Sequence, residues 1–238
     1  MSISLLSLGF LLGMRHALES DHVAAVASLA TRSRSMGDTL RQGAVWGAGH
    51  TLTLFIFGSL VLLLDTVIPE TLAQALEFMV GLMLIGLGID VLRRQLRERI
   101  HFHVHGHADG HLHFHVHSHA GEQVHPVVHH HHHHHGRFPL RALFVGMMHG
   151  MAGSAALILL TLQSVHSPLT GMLYIMLFGV GSIAGMAALS AIIAVPLCYS
   201  ISSLRWAQNG LHALIGVTTL YVGGMMVYDI GIAGGLLV

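Results

Sequence analysis

The sequence predicts an all-α integral membrane protein with about six transmembrane helices, and three observations carry that prediction. The 238 residues are 53% hydrophobic and only 9% charged, with a mean hydropathy of +0.67, whereas a soluble domain carries about 25% charged residues. Apolar stretches near the length of about 20 residues that crosses a bilayer recur at 3–30, 42–64, 72–92, 141–163, 168–196 and 209–233. The basic side chains, all of them Arg, gather in alternate loops.

Each element has its own grounds. The first stretch is longer than a span requires, so a kink, a tilt or an extension beyond the bilayer is expected. It lacks a charged leading region and is read as a first helix, not a cleaved signal peptide. Pro69, Pro139, Pro168 and Pro196 are expected at span ends or in loops, where a missing N–H is tolerated. A polar insert separates the third and fourth stretches. The chain therefore divides into a first transmembrane half (1–92), an insert (93–140) and a second half (141–238).

Orientation follows from Arg. Arg32, Arg34 and Arg41 lie between spans 1 and 2; Arg93, Arg94, Arg97, Arg99, Arg137 and Arg141 between spans 3 and 4; and Arg205 between spans 5 and 6. The other loops carry Asp65, Glu70 and His166 but no Arg. The positive-inside rule then makes the Arg-bearing loops cytoplasmic, with both termini outside, in the cytoplasmic membrane. Asp90 and Asp229 fall near span ends, where solvation or capping is expected.

The halves show a weak internal match at an offset near 133. Gly13-Met14-Arg15-His16 aligns with Gly146-Met147-Met148-His149, and Gly81 and Gly88 align with Gly216 and Gly223. Three spans per half would make this a 3+3 inverted repeat, an arrangement that places transport sites near the membrane midplane. Glycines are frequent in membrane helices, so close packing alone is the competing reading for them.

The chemistry sits in the first span, in His16-Ala17-Leu18-Glu19-Ser20-Asp21-His22. Ionisable groups in an apolar span cost about 2.5–3.5 kcal/mol each unless they pair or hold an ion. Imidazoles mixed with carboxylates suit a divalent transition metal or a proton. On a regular helix His16, Glu19 and His22 share one broad face, about 60° apart, while Asp21 points away. Asp21 joins them only if the helix is distorted or faces a second element. His50, in Gly47-Ala48-Gly49-His50-Thr51, is a fourth ligand candidate, with small neighbours that would let another helix approach. In the second half His149 and Ser154 form a further candidate site. His149 and His212 read equally well as packing residues, and Met147 and Met148 as core.

Residues 15–23, Arg-His-Ala-Leu-Glu-Ser-Asp-His-Val, resemble the Arg-His-Ala-x-Asp-Ala-Asp-His-Ile signature of the nickel/cobalt transporter family. Gly49-His50-Thr51 resembles its Gly-His-Ser/Thr motif. The chain length and His149-Gly150-Met151-Ala152-Gly153-Ser154-Ala155 resemble the short, urease-accessory-type nickel permease branch. The resemblance implies movement of Ni(II) or Co(II) as cargo through His16, Asp21, His22 and His50, with no permanently bound cofactor. Glu19 and Ser20 depart from the signature, and the family's later Asp-Thr-Ala-Thr-Glu type motif is missing.

The insert holds 17 of the 23 histidines. His101, His103, His105 and His107 alternate with other residues, as do His111, His113, His115, His117 and His119. His129, His130, His131, His132, His133, His134 and His135 are consecutive. Such tracts bind metal by composition, and with little apolar content this one is expected to be disordered without metal. In the cytoplasm it would buffer ions, sense them, or hand them to a nickel chaperone; a passive tether is the other reading.

The function expected is that of a secondary permease for Ni(II) or Co(II), running as uptake or, through the same site, as efflux. The partners are the metal ion and the lipid bilayer. With no basic patch, nucleic acid is not a partner. The single cysteine, Cys198, allows neither a disulfide nor a thiolate cluster, and no Walker motif is present. An intramembrane enzyme or haem protein is disfavoured, because His149 and Ser154 are separated by five residues on one helix and no orienting third group is evident.

Overall fold

A computed structural model describes residues 3–33, 35–64, 69–99, 103–106, 112–115, 139–152, 167–199 and 205–237. Seven α-helices are described: α1 (Ile3–His16), α2 (Ser20–Ala30), α3 (Met36–Leu64), α4 (Glu70–Arg99), α5 (Leu140–Ala152), α6 (Pro168–Tyr199) and α7 (Arg205–Tyr228). A π-helical turn, Asp229–Ala233, follows α7. Among the described residues, four helical stretches are long and apolar enough to cross a membrane: Met36–Leu64, Glu70–Arg97, Leu169–Leu197 and Gln208–Ala233. The protein is therefore a helical membrane protein, and its exposed Leu11, Ile56, Leu63, Ile192 and Leu214 suit a lipid-facing surface.

The first stretch is not one helix. After His16 the chain tightens through Leu18 N–H to Arg15 C=O and Glu19 N–H to His16 C=O. It then opens at Glu19, whose backbone is extended (φ −64°, ψ 148°), and α2 begins at Ser20. The expected shared face of His16, Glu19 and His22 is thereby lost. A break of this kind belongs where backbone groups line a polar cavity. Asp21 falls in the first turn of α2, where the helix dipole favours negative charge.

One other expectation is corrected. Pro196 lies inside α6, which continues to Tyr199, instead of ending the helix. Among the described residues, the insert adds one short hairpin to an otherwise helical chain. Strands β1 (His103–Gly106) and β2 (Leu112–His115) pair antiparallel, with His103 opposite His115 and His105 opposite His113. The cause is the period-2 pattern of His-x-His, which matches a strand. The remaining insert residues, and residues 153–166 of the fourth expected span, lie outside the described residues.

The helices interlock between the halves. Helices α1 and α3 pack on α6, α5 packs on α3, and α4 packs on α7. Glycines make these contacts close. A Cβ on Gly13 would meet the Phe178 carbonyl, and one on Gly146 the Trp46 carbonyl. Gly181 lies against Phe10 and Gly49 against Leu143. A Cβ on Gly223 would come within 2.8 Å of Gly81 O, and one on Gly88 within 2.9 Å of Gly216 O. Hydroxyls join the same seams: Thr51 donates to Gly179 O at 3.0 Å, and Thr53 to Met147 O at 3.1 Å.

Candidate metal centre

The broken first segment carries three ionisable side chains to one place. His16 ends α1, Asp21 and His22 open α2, and α3 and α5 add His50 and His149. All four imidazoles are buried, His50 completely and His22 and His149 to 1% exposure. The His22 ring is central: it lies 4.4 Å from His16, 4.5 Å from His149 and 5.3 Å from His50, centroid to centroid.

Asp21 organises one side of the cluster. Its Oδ1 is 3.0 Å from His22 Nδ1, and its Oδ2 is 3.0 Å from His149 Nε2. Glu19 does the same for His16, with Oε1 2.9 Å from Nδ1, but its own side chain is 58% exposed. A carboxylate on one ring nitrogen fixes the orientation of an imidazole and leaves the other nitrogen for a ligand. The cluster's buried imidazole nitrogens without a hydrogen-bond partner are His16 Nε2, His22 Nε2, His149 Nδ1 and both nitrogens of His50. Leaving a buried polar atom unsatisfied costs about 1–3 kcal/mol. Five of them converging on one place is the arrangement of a ligand set.

Two groups have donor atoms close enough to share an ion, all within 4.8 Å of one another: His16 with His22 and His50, and Asp21 with His22 and His149. Borderline imidazole nitrogen and carboxylate oxygen suit divalent first-row metals, and the set contains no thiolate that would favour Cu(I) or an iron–sulfur cluster. Trp46, fully buried, lies against His22 (5.3 Å) and perpendicular to His149 (5.6 Å). It also lines a cleft with Val26, Leu29, Thr39, Gln42 and Ser190.

Of the residues singled out from sequence, His16, Asp21, His22, His50 and His149 come together. Glu19 contacts His16 from the edge and joins neither group. Ser154 lies outside the described residues, as do His101, His107, His111, His117, His119 and His129–His135. Sequence reasoning missed the link from Asp21 to His149; the alignment of His149 with His16 was the available signal. It also misjudged Asp90, expected to be solvated or capping. Asp90 instead gathers Arg32 at 2.7 Å, Arg141 at 3.3 Å and Arg94 at 3.4 Å. That cluster puts the end of α2, the last turns of α4 and the start of α5 at one end of the bundle.

The fold and the cluster define a helical membrane protein with a buried histidine–carboxylate centre. The chain is 34% identical to the urease accessory protein UreH of Bacillus sp. (strain TB-90) over 236 residues, covering 98% of this chain and 95% of that protein. It therefore belongs to the UreH family. It is also 32% identical over 96 residues to a Methanocaldococcus jannaschii protein named "Putative nickel/cobalt efflux system", covering 39% of this chain and 44% of that one. The Arabidopsis thaliana chloroplast protein FOR GROWTH AND FERTILITY 1 is 29% identical over 187 residues, 78% of this chain and 48% of that protein. No protein-family profile and no solved structure matches the chain.

Proposed function

We propose that this protein is a secondary transporter, not an enzyme, that moves Ni(II), with Co(II) as a second cargo, into the cytoplasm. The observation that carries the reading is the convergence of four buried imidazoles and Asp21 at a break in an apolar helix, with five ring nitrogens unpartnered. The names of the relatives support nickel or cobalt as cargo. His16, Asp21, His22, His50 and His149 are the ligands. Glu19 holds His16.

Uptake needs no pump in this chain. Two charges moving inward down 100 mV gain about 4.6 kcal/mol, worth over a thousandfold in concentration. The Arg-rich end around Asp90 is cytoplasmic, both termini are outside, and the histidine-rich insert lies in the cytoplasm. There it buffers arriving ions and passes them to a nickel chaperone. Six spans form a 3+3 inverted repeat. Supporting this, the close approaches come in matched pairs at an offset near 133: Gly13 on Phe178 with Gly146 on Trp46, Gly49 on Leu143 with Gly181 on Phe10, and Gly81 with Gly223 against Gly216 with Gly88.

Efflux through the same ligands is the second reading, favoured by the likeness to the efflux-named archaeal protein. Deleting the gene separates the two: a metal-starved strain means uptake, a metal-sensitive one export. The reading as a whole is tested by radiolabelled nickel flux in cells carrying His22→Ala at native membrane levels. Loss of flux is expected, and native flux overturns the site.

A further inference from the structure

We propose that the cargo ion occupies two seats in succession, one formed by His16, His22 and His50, the other by Asp21, His22 and His149, with His22 the ligand kept throughout. This rests on the metal-transport reading above and specifies how the site works.

Geometry favours two seats over one. Among the described residues the donor atoms lie within 4.8 Å of one another in two groups of three, with His22 common to both. Two atoms bound to one ion at about 2.1 Å stand at most about 4.2 Å apart, so each group closes slightly around an ion. Its ring has His16 at 4.4 Å and His149 at 4.5 Å. The seats also differ in charge. The first offers three neutral imidazoles, whereas the second includes the Asp21 carboxylate, bonded to both of its imidazoles at 3.0 Å. His16, His22 and His50 keep bare buried nitrogens for the first seat, whereas an ion entering the second takes the place of the Asp21 bonds to His22 Nδ1 and His149 Nε2.

The seats draw differently on the two halves. His16 and His50 come from α1 and α3, while His149 comes from α5 and aligns with His16 in the internal match. Gly47-Ala48-Gly49-His50 matches Gly179-Val180-Gly181-Ser182 in the second half, which puts Ser182 opposite His50, and the Ser182 hydroxyl is committed to Gly13 O at 3.3 Å. The second half thus contributes a single imidazole and draws on Asp21 and His22 of the first. An ion passing from one seat to the other exchanges His16 and His50 for Asp21 and His149, without being released from His22. Movement of the two halves against each other would drive that exchange.

The test uses the full chain carrying Trp206→Phe, so that Trp46, beside His22 and His149, is the sole tryptophan reporter. Co(II) is the probe, since its binding near the indole quenches emission. His16→Gln and His149→Gln each remove a ligand from one seat, and Gln at 149 retains an N–H for Asp21. Two seats predict that each variant keeps its quenching midpoint within about threefold of native, through the remaining seat. Maximal Co(II) flux in proteoliposomes falls about tenfold or more, a barrier increase of about 1.4 kcal/mol or more. His22→Ala loses both signals. Native flux in His149→Gln overturns the handover, as does a midpoint shift in either Gln variant as large as that of His22→Ala. If His22→Ala itself quenches and transports normally, the metal-site reading fails as well, so the two failures are distinguishable. Should His16→Gln not reach the membrane, the split between binding and flux in His149→Gln decides alone.

Discussion

Asp21→Asn is the sharpest single perturbation of the centre, because this carboxylate touches two of its imidazoles at 3.0 Å. Asn keeps the shape but loses the charge, and it offers one acceptor oxygen where Asp offers two. One of the two histidines must then face an amide NH2 group. A hydrogen bond to a charged group is worth about 1.5–3 kcal/mol, equivalent to about 10–150-fold in affinity or rate. The side chain is 20% exposed, so solvent recovers part of the loss and the lower half of that range is expected. Initial rates of radiolabelled nickel uptake into intact cells, normalised to membrane protein level, are the assay. Asp21→Asn uptake within twofold of native would refute the assignment of this carboxylate to the site.

Further outcomes follow from other residues. Gly146→Ala should destabilise the protein by about 1–3 kcal/mol, because the new Cβ runs into the Trp46 backbone carbonyl. Gly86→Ala, with nothing within 4 Å of its Cβ, should instead gain up to about 1 kcal/mol, and thermal unfolding in detergent compares the two. Asp90→Asn should lower stability only modestly, since its three ion pairs are partly exposed and such pairs are worth about 0–1 kcal/mol each. Its nickel uptake should stay within a few-fold of native. Removing residues 101–135 should lower the metal bound per chain while leaving flux through the membrane site.

What could be read from sequence was whatever repeats or is expensive to hide. Apolar length marked α3, α4, α6 and α7, since crossing a bilayer fixes the number of residues a helix must supply. Charge inside an apolar stretch marked His16, Asp21 and His22, because nothing but function or pairing offsets its cost. The break after His16 was harder to see. Ala17, Leu18 and Glu19 contain neither Gly nor Pro, and their helical periodicity is undisturbed. The interruption is stabilised by tertiary contacts with α3, α5 and α6, which no local signal encodes. The same reason hid the bond between Asp21 and His149, which are 128 positions apart. The Arg32, Arg94 and Arg141 cluster on Asp90 was legible as loop charge but not as a convergence, for that depends on which helix ends meet. The hairpin in the insert was written in the His-x-His alternation, yet low apolar content argued against any ordered structure there.

The account depends most directly on where the cation sits. Anomalous diffraction at the nickel edge, from crystals of the full chain grown with Ni(II), would locate it. The account predicts a peak within bonding distance of His22, flanked by His16 and His50 or by Asp21 and His149. Peaks confined to the histidine-rich insert, with none at His22, would contradict it.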